Sequence, residues 1–185
     1  MTLSAGAIVA ALVVVSCRSI RIPNPSMQGE PGVLQRYFES AGHPPPEWPV
    51  CNSEDQVTGV SEIGIEATPC YGFCPTYTFI VRSDGSAEYT GQANVQFKGH
   101  RTGTVSREAF EEVAAFALDI GFFSELSDTY TCMVTDSETV YVSAVMKGQR
   151  RTIMHYAPSR SGPPRLQWLE YAMRLLEQRV VWDSH

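Results

Sequence analysis

Two cysteines four residues apart, Cys70 and Cys74, are hemmed by Pro69, Gly72 and Pro75 in the segment TPCYGFCPTY at Thr68–Tyr77. Proline locks φ and donates no backbone N–H, so neither flank can carry a helix through the segment. Gly72 admits backbone conformations closed to other residues, and the Tyr71-Gly72-Phe73 turn can therefore bring the two cysteine Cβ atoms within disulfide reach. A turn of this kind lies at the surface and separates two independent elements. Its two aromatic residues, Tyr71 and Phe73, form a candidate binding loop.

The compartment is read at the other end of the chain. Leu3–Ser16, LSAGAIVAALVVVS, carries no charge and runs into Cys17, the pattern of a secretory signal's apolar region before a small-residue cleavage site. No Lys or Arg precedes the run, a departure from the usual signal. It is shorter than the roughly 20 residues a spanning helix needs. Val14-Val15-Ser16-Cys17 resembles a bacterial lipobox, which implies a signal peptide over residues 1–16, a lipid on Cys17 and a cell-envelope protein held at a membrane. Arg18 follows where an inner-membrane retention signal would have Asp, so the outer membrane, facing the periplasm, is the expected site in a Gram-negative host.

An oxidising compartment changes how the remaining thiols are read. With Cys17 assigned to lipid, four of the five cysteines are left, and Cys70 with Cys74 leaves Cys51 with Cys132 by elimination. The net charge of −6 argues against a nucleic-acid surface, which needs clustered Lys and Arg. The pair Arg150-Arg151 reads as a solvated face.

Residues 17–59 hold seven of the twelve prolines and read as a spacer, interrupted at most by a short helix around Val33–Phe38. From residue 60 to 182 the patterns belong to one domain. Strands are expected at Val60–Ala67, Thr76–Arg82, Ser86–Thr90 and Val95–Thr104, with Asp84-Gly85 supplying positive φ to a tight hairpin turn. A helix capped by Ser106 follows, with Phe110, Val113, Ala117 and Ile120 on its core face and Gly121 as its stop. A second hairpin joins Val140–Met146 to Arg151–Tyr156 through Lys147-Gly148. The last helix, Pro164–Val181, places Leu166, Leu169, Met173, Leu176 and Val180 on one stripe, and Glu170 with Arg174 as an i,i+4 pair on another. The order ββββ-α-ββ-α predicts a two-layer α+β domain: an antiparallel sheet of about six strands with two helices on one face.

The run CYGFCPTYTFIVRSDGSAEYTG, followed by VQFKGHRTGTVSREAFEEV, GFFSELSDTY, Thr135-Asp136 and a helix ending at a tryptophan, resembles the bacterial domain-of-unknown-function family 6438 over Ser61–Trp182. The resemblance implies a single-domain layout and frequent export with a lipoprotein-type start. It brings no activity, and Cys51 and Cys132 lie outside its signature pair.

No nucleophile elbow, phosphate loop or dinucleotide fingerprint occurs. Neither a catalytic residue nor a cofactor is assigned. A zinc quartet of Cys70, Cys74, His100 and His155 has suitable ligand types but unsuitable spacing, and no metal is assigned. The leading expectation is a non-catalytic binding or structural module, lipid-anchored and directed at an envelope protein partner. Tyr71, Phe73, Tyr77 and Trp182 are candidates for one aromatic patch beside the disulfide. The alternative is an envelope enzyme or metal-binding protein built on Asp128, Asp136 or His155, which requires those side chains to converge in one cleft.

Overall fold

A computed structural model of the chain describes residues 58–184. The expectations for Cys17, the spacer, its short helix and Cys51 lie outside the described residues. Eight strands form one mixed sheet in the order β5-β7-β6-β1-β2-β3-β4-β8, and two helices complete an α+β fold. The strands are β1 Val60–Ala67, β2 Thr76–Arg82, β3 Ser86–Ala93, β4 Gly99–Thr104, β5 Thr129–Tyr130, β6 Thr139–Met146, β7 Gln149–Tyr156 and β8 Val181–Trp182. Helix α1 spans Arg107–Asp119 and α2 spans Pro164–Gln178.

Strand alternation decides which face is covered. Ile63, Ile65 and Ala67 of β1, Phe79 and Val81 of β2, Val140, Val142 and Ala144 of β6, and Ile153 of β7 are buried on one face. Phe110, Val113 and Ala117 of α1 and Leu166, Leu169, Met173 and Leu176 of α2 are buried with them. Helix α2 packs on both α1 and β1. Ser106 caps α1 as expected, its hydroxyl accepting the Ala109 N–H at 3.2 Å. The opposite face stays open to water and is tied by charge: Arg82 bridges Glu62 at 3.2 Å and Glu88 at 2.7 Å, and Arg150 reaches Glu62 from β7.

Several details differ from the sequence reading. The sheet has eight strands and one parallel pair, β5 with β7, because two-residue edge strands carry no periodicity to detect. The fourth strand starts at Gly99, and Val95–Lys98 instead form a loop folded over the covered face. Only Gly85 takes positive φ in the first hairpin, at 86°, with Asp84 accepting the Ser86 N–H through its side chain. The last helix stops at Gln178, and Val181–Trp182 turn back to pair with β4. Arg151 is no solvated charge: its guanidinium holds the Phe122 and Leu126 carbonyls and pairs with Asp128 at 2.8 Å, pinning the segment after α1.

Candidate functional site

Cys70 and Cys74 form the expected disulfide, with Cα atoms 5.6 Å apart. The chain between them closes through the Gly72 N–H, which donates to the Cys70 carbonyl at 2.9 Å. Two outside contacts hold the turn: the Asn94 amide donates to the Cys74 carbonyl at 3.1 Å, and the Tyr71 N–H donates to the Asp136 carbonyl at 3.3 Å. Every backbone tie thus faces the protein, and the side chains face water. Tyr71 is 90% exposed and Phe73 is 93% exposed. Met133, in the loop leading to Asp136, is also fully exposed, so three of the four large apolar side chains left in water among the described residues belong to these two segments.

The proposed four-residue aromatic patch does not form. Tyr77 is buried and stacks on Tyr89, ring centroids 5.7 Å apart, while Trp182 packs edge-on against Phe79 and Tyr89. The physical reason is strand parity: Tyr77 lies on the covered face of β2, whereas Tyr71 and Phe73 precede the strand. The buried Tyr89 and the half-buried Phe97 and Trp182 surround a cation. The sheet register sets Arg101 opposite Tyr89, and its guanidinium lies 3.8 Å from the Trp182 centroid and 4.7 Å from those of Tyr89 and Phe97. Glu177 of α2 accepts a hydrogen bond from Arg101 at 3.2 Å.

This cluster forms one wall of a cleft of about 530 Å³ where the C-terminal half of α2 passes over the ends of β2 and β3. Arg174, Glu177 and Gln178 of α2 face Pro75, Tyr77, Tyr89 and the loop Asn94–Phe97 across it. The loop can fold back only because residue 91 is glycine: a Cβ there would lie 1.9 Å from the Phe97 carbonyl oxygen. Asn94 links the cleft to the disulfide turn. Burial raises the Tyr77 phenol pKa, with Arg174 pulling the other way, and burial pushes Tyr89 up to about 12. Both remain hydrogen-bond donors at neutral pH.

The residues of the enzyme alternative do not converge. Asp128 is exposed and paired with Arg151, Asp136 is exposed at a positive-φ position, and His155 is sealed in the core. Among the described residues no cluster of His, Cys, Asp and Glu could hold a metal ion. The zinc quartet fails because its cysteines are spent in the disulfide, while His100 faces the Thr90 hydroxyl at 3.2 Å on β3 and His155 is enclosed. Cys132 has no disulfide partner among the described residues. The carboxylate that does meet His155 is Glu170, which the sequence reading paired with Arg174 on a helix stripe apart from the apolar one. Its Oε1 lies 2.5 Å from Nδ1, while Nε2 donates to the Ser161 carbonyl at 2.6 Å. Burial pulls the His155 pKa down, but the hydrogen bond and charge of Glu170 outweigh it and the net shift is upward. Burial also raises Glu170.

The family model for the domain of unknown function DUF6438 matches residues 61–177 of this chain. The chain belongs to the DUF6438 family. The match takes in the disulfide turn, α1, all but the last residue of α2, the Asn94–Phe97 loop and the buried His155–Glu170 pair, and it ends before β8 and Trp182. No curated protein gives a significant match. The features that the DUF6438 domain presents toward solvent include an apolar, disulfide-closed turn and an aromatic, arginine-lined cleft. Sequence reasoning found the turn from its cysteine spacing. It missed Met133 and the cleft. The cleft residues come from β2, β3, β4 and α2, and only the sheet register unites them.

Proposed function

We propose that this DUF6438 protein is an exported, lipid-anchored binding module of the cell envelope, without catalysis, that engages an envelope protein through the Tyr71–Phe73 turn. The observation that carries this reading is the near-complete exposure of both rings on a turn already closed by a disulfide. Aromatic side chains dominate the energetics of protein interfaces, and a pre-constrained loop loses less entropy when a partner arrives. Met133 extends the apolar surface. The disulfide suits an oxidising compartment, and the lipobox-like Val14-Val15-Ser16-Cys17 supplies the tether, with the Pro-rich residues 17–59 as spacer.

A photoreactive phenylalanine analogue replacing Tyr71 in the full-length chain, expressed in its own host, tests this. The expected result is one discrete crosslinked envelope protein whose yield falls when Phe73→Ala is added. A diffuse smear, or a product insensitive to Phe73, would discard the turn as the partner surface.

A further inference from the structure

Four buried side-chain polar atoms lack a hydrogen-bond partner among the described residues, and three of them, Tyr77 Oη, Arg101 Nε and Arg174 Nε, belong to the lining of one cleft. Native proteins leave few such atoms unpaired, so a cluster of them marks a place where a partner is missing. The two guanidinium Nε groups can only donate and the Tyr77 hydroxyl is able to, so one accepting partner would suit all three.

The charges narrow its chemistry. Arg101 is already engaged, hydrogen-bonded to Glu177 and enclosed by three rings. Arg174 makes no ion pair among the described residues, and its charge acts on the same Glu177 carboxylate that Arg101 holds, so two guanidiniums share one carboxylate in the cleft. Nε and one Nη of a guanidinium present two parallel N–H groups on a single edge, matching the two oxygens of a planar carboxylate. A doubly charged phosphate would set its second charge against Glu177. Tyr77, only 5% exposed, lines the same space with a hydroxyl free to donate. Pro75, Val95, Phe97 and Tyr89 supply apolar wall, and the volume is within the range of small-molecule pockets.

We propose that this cleft binds an organic monocarboxylate, its carboxylate gripped by the Nε edge of Arg174 and the Tyr77 hydroxyl, its apolar body against Phe97 and Tyr89. The carboxylate can belong to a free acid or to the C-terminal residue of a peptide. The site is independent of the Tyr71–Phe73 reading, and Tyr71→Ala should leave acid binding unchanged.

Titration of the purified, disulfide-intact protein with benzoate and with N-acetylphenylalanine, each beside its neutral amide and beside inorganic phosphate, separates these sources. Saturable binding of at least one acid at millimolar concentration or below is expected, read as a rise in melting temperature and as shifts of the Arg174 Nε–H resonance. Benzoate alone would indicate a free acid, and preference for N-acetylphenylalanine a peptide terminus. Arg174→Gln should weaken binding at least about tenfold, and Tyr77→Phe roughly tenfold. Because the Tyr77 hydroxyl is unpaired without ligand, Tyr77→Phe should leave the midpoint of urea unfolding of the free protein unchanged or raised. Equal binding of the amides, binding of phosphate alone, or no saturable response to either acid would overturn the proposal. So would unaltered acid affinity in both variants.

Discussion

Ser161 can only accept through its carbonyl oxygen, so Nε2 of His155 must carry a proton. At 2.5 Å the Nδ1–Oε1 contact needs another between its atoms, which makes His155 and Glu170 a buried pair sharing one titratable proton. The sign of its pH dependence follows. A native pKa raised above the unfolded value means the native state binds that proton more tightly, so the contribution to stability is complete below about pH 6.5 and is lost as pH rises through the raised value. The raised Glu170 acts in the same direction, since losing the proton leaves a carboxylate buried against a neutral ring. Urea midpoints measured from pH 6 to 9 should fall for the wild type and fall less for Glu170→Gln. Parallel curves would show that the pair does not control the trend. Gly162 closes this site: its φ is +71°, and a Cβ would lie 2.5 Å from His155 Nε2. Gly162→Ala should cost about 1–3 kcal/mol in chemical denaturation, by backbone strain and by pushing the ring off Ser161.

At the scale of elements, the disulfide turn is predicted to be thermodynamically modest and conformationally decisive. Closing five residues contributes about 2 kcal/mol in the loop-entropy account, so Cys70→Ser with Cys74→Ser should lower stability by about that amount while the sheet still forms. Tyr71→Ala and Phe73→Ala should stay within about 0.5 kcal/mol of wild type, because neither ring is packed. A loss near the 3–5 kcal/mol typical of a buried aromatic truncation would mean that the rings have a core role and would end the binding-loop reading. Elements with strong local signals were legible in the sequence: the alternation of Ile63 and Ile65, the Ser106 cap with Phe110 and Val113 behind it, and the stripe from Leu166 to Leu176. Glu170 was misplaced because helical spacing reveals which residues share a side but not that a histidine from β7 reaches in to meet one of them. The cleft was illegible for a related reason: Arg101 meets Tyr89 through strand pairing, and Arg174 faces Tyr77 through helix-on-sheet packing, neither of which has a local sequence mark.

At the scale of the whole molecule, the proposed lipid on Cys17 is a covalent link to a membrane. Cys17→Ser should abolish incorporation of labelled lipid and move the protein into the soluble envelope fraction; retention on washed membranes would reject the lipid anchor. Both sheet edges end in two-residue strands, β5 and β8, too short to offer a long template to another chain. The centre of the sheet is where the topology has its largest effect. Strand β1, the first of the described strands to emerge from the ribosome, pairs with β2 on one side and with β6 on the other, Ile63 facing both Val81 and Ala144. At translation rates of about 5–20 residues per second, β6 follows roughly 80 residues and 4–16 s later. Until then this central strand of the sheet has one open side, and the nascent chain cannot complete its fold. For the export proposed above the delay is useful, because an unfinished sheet remains threadable.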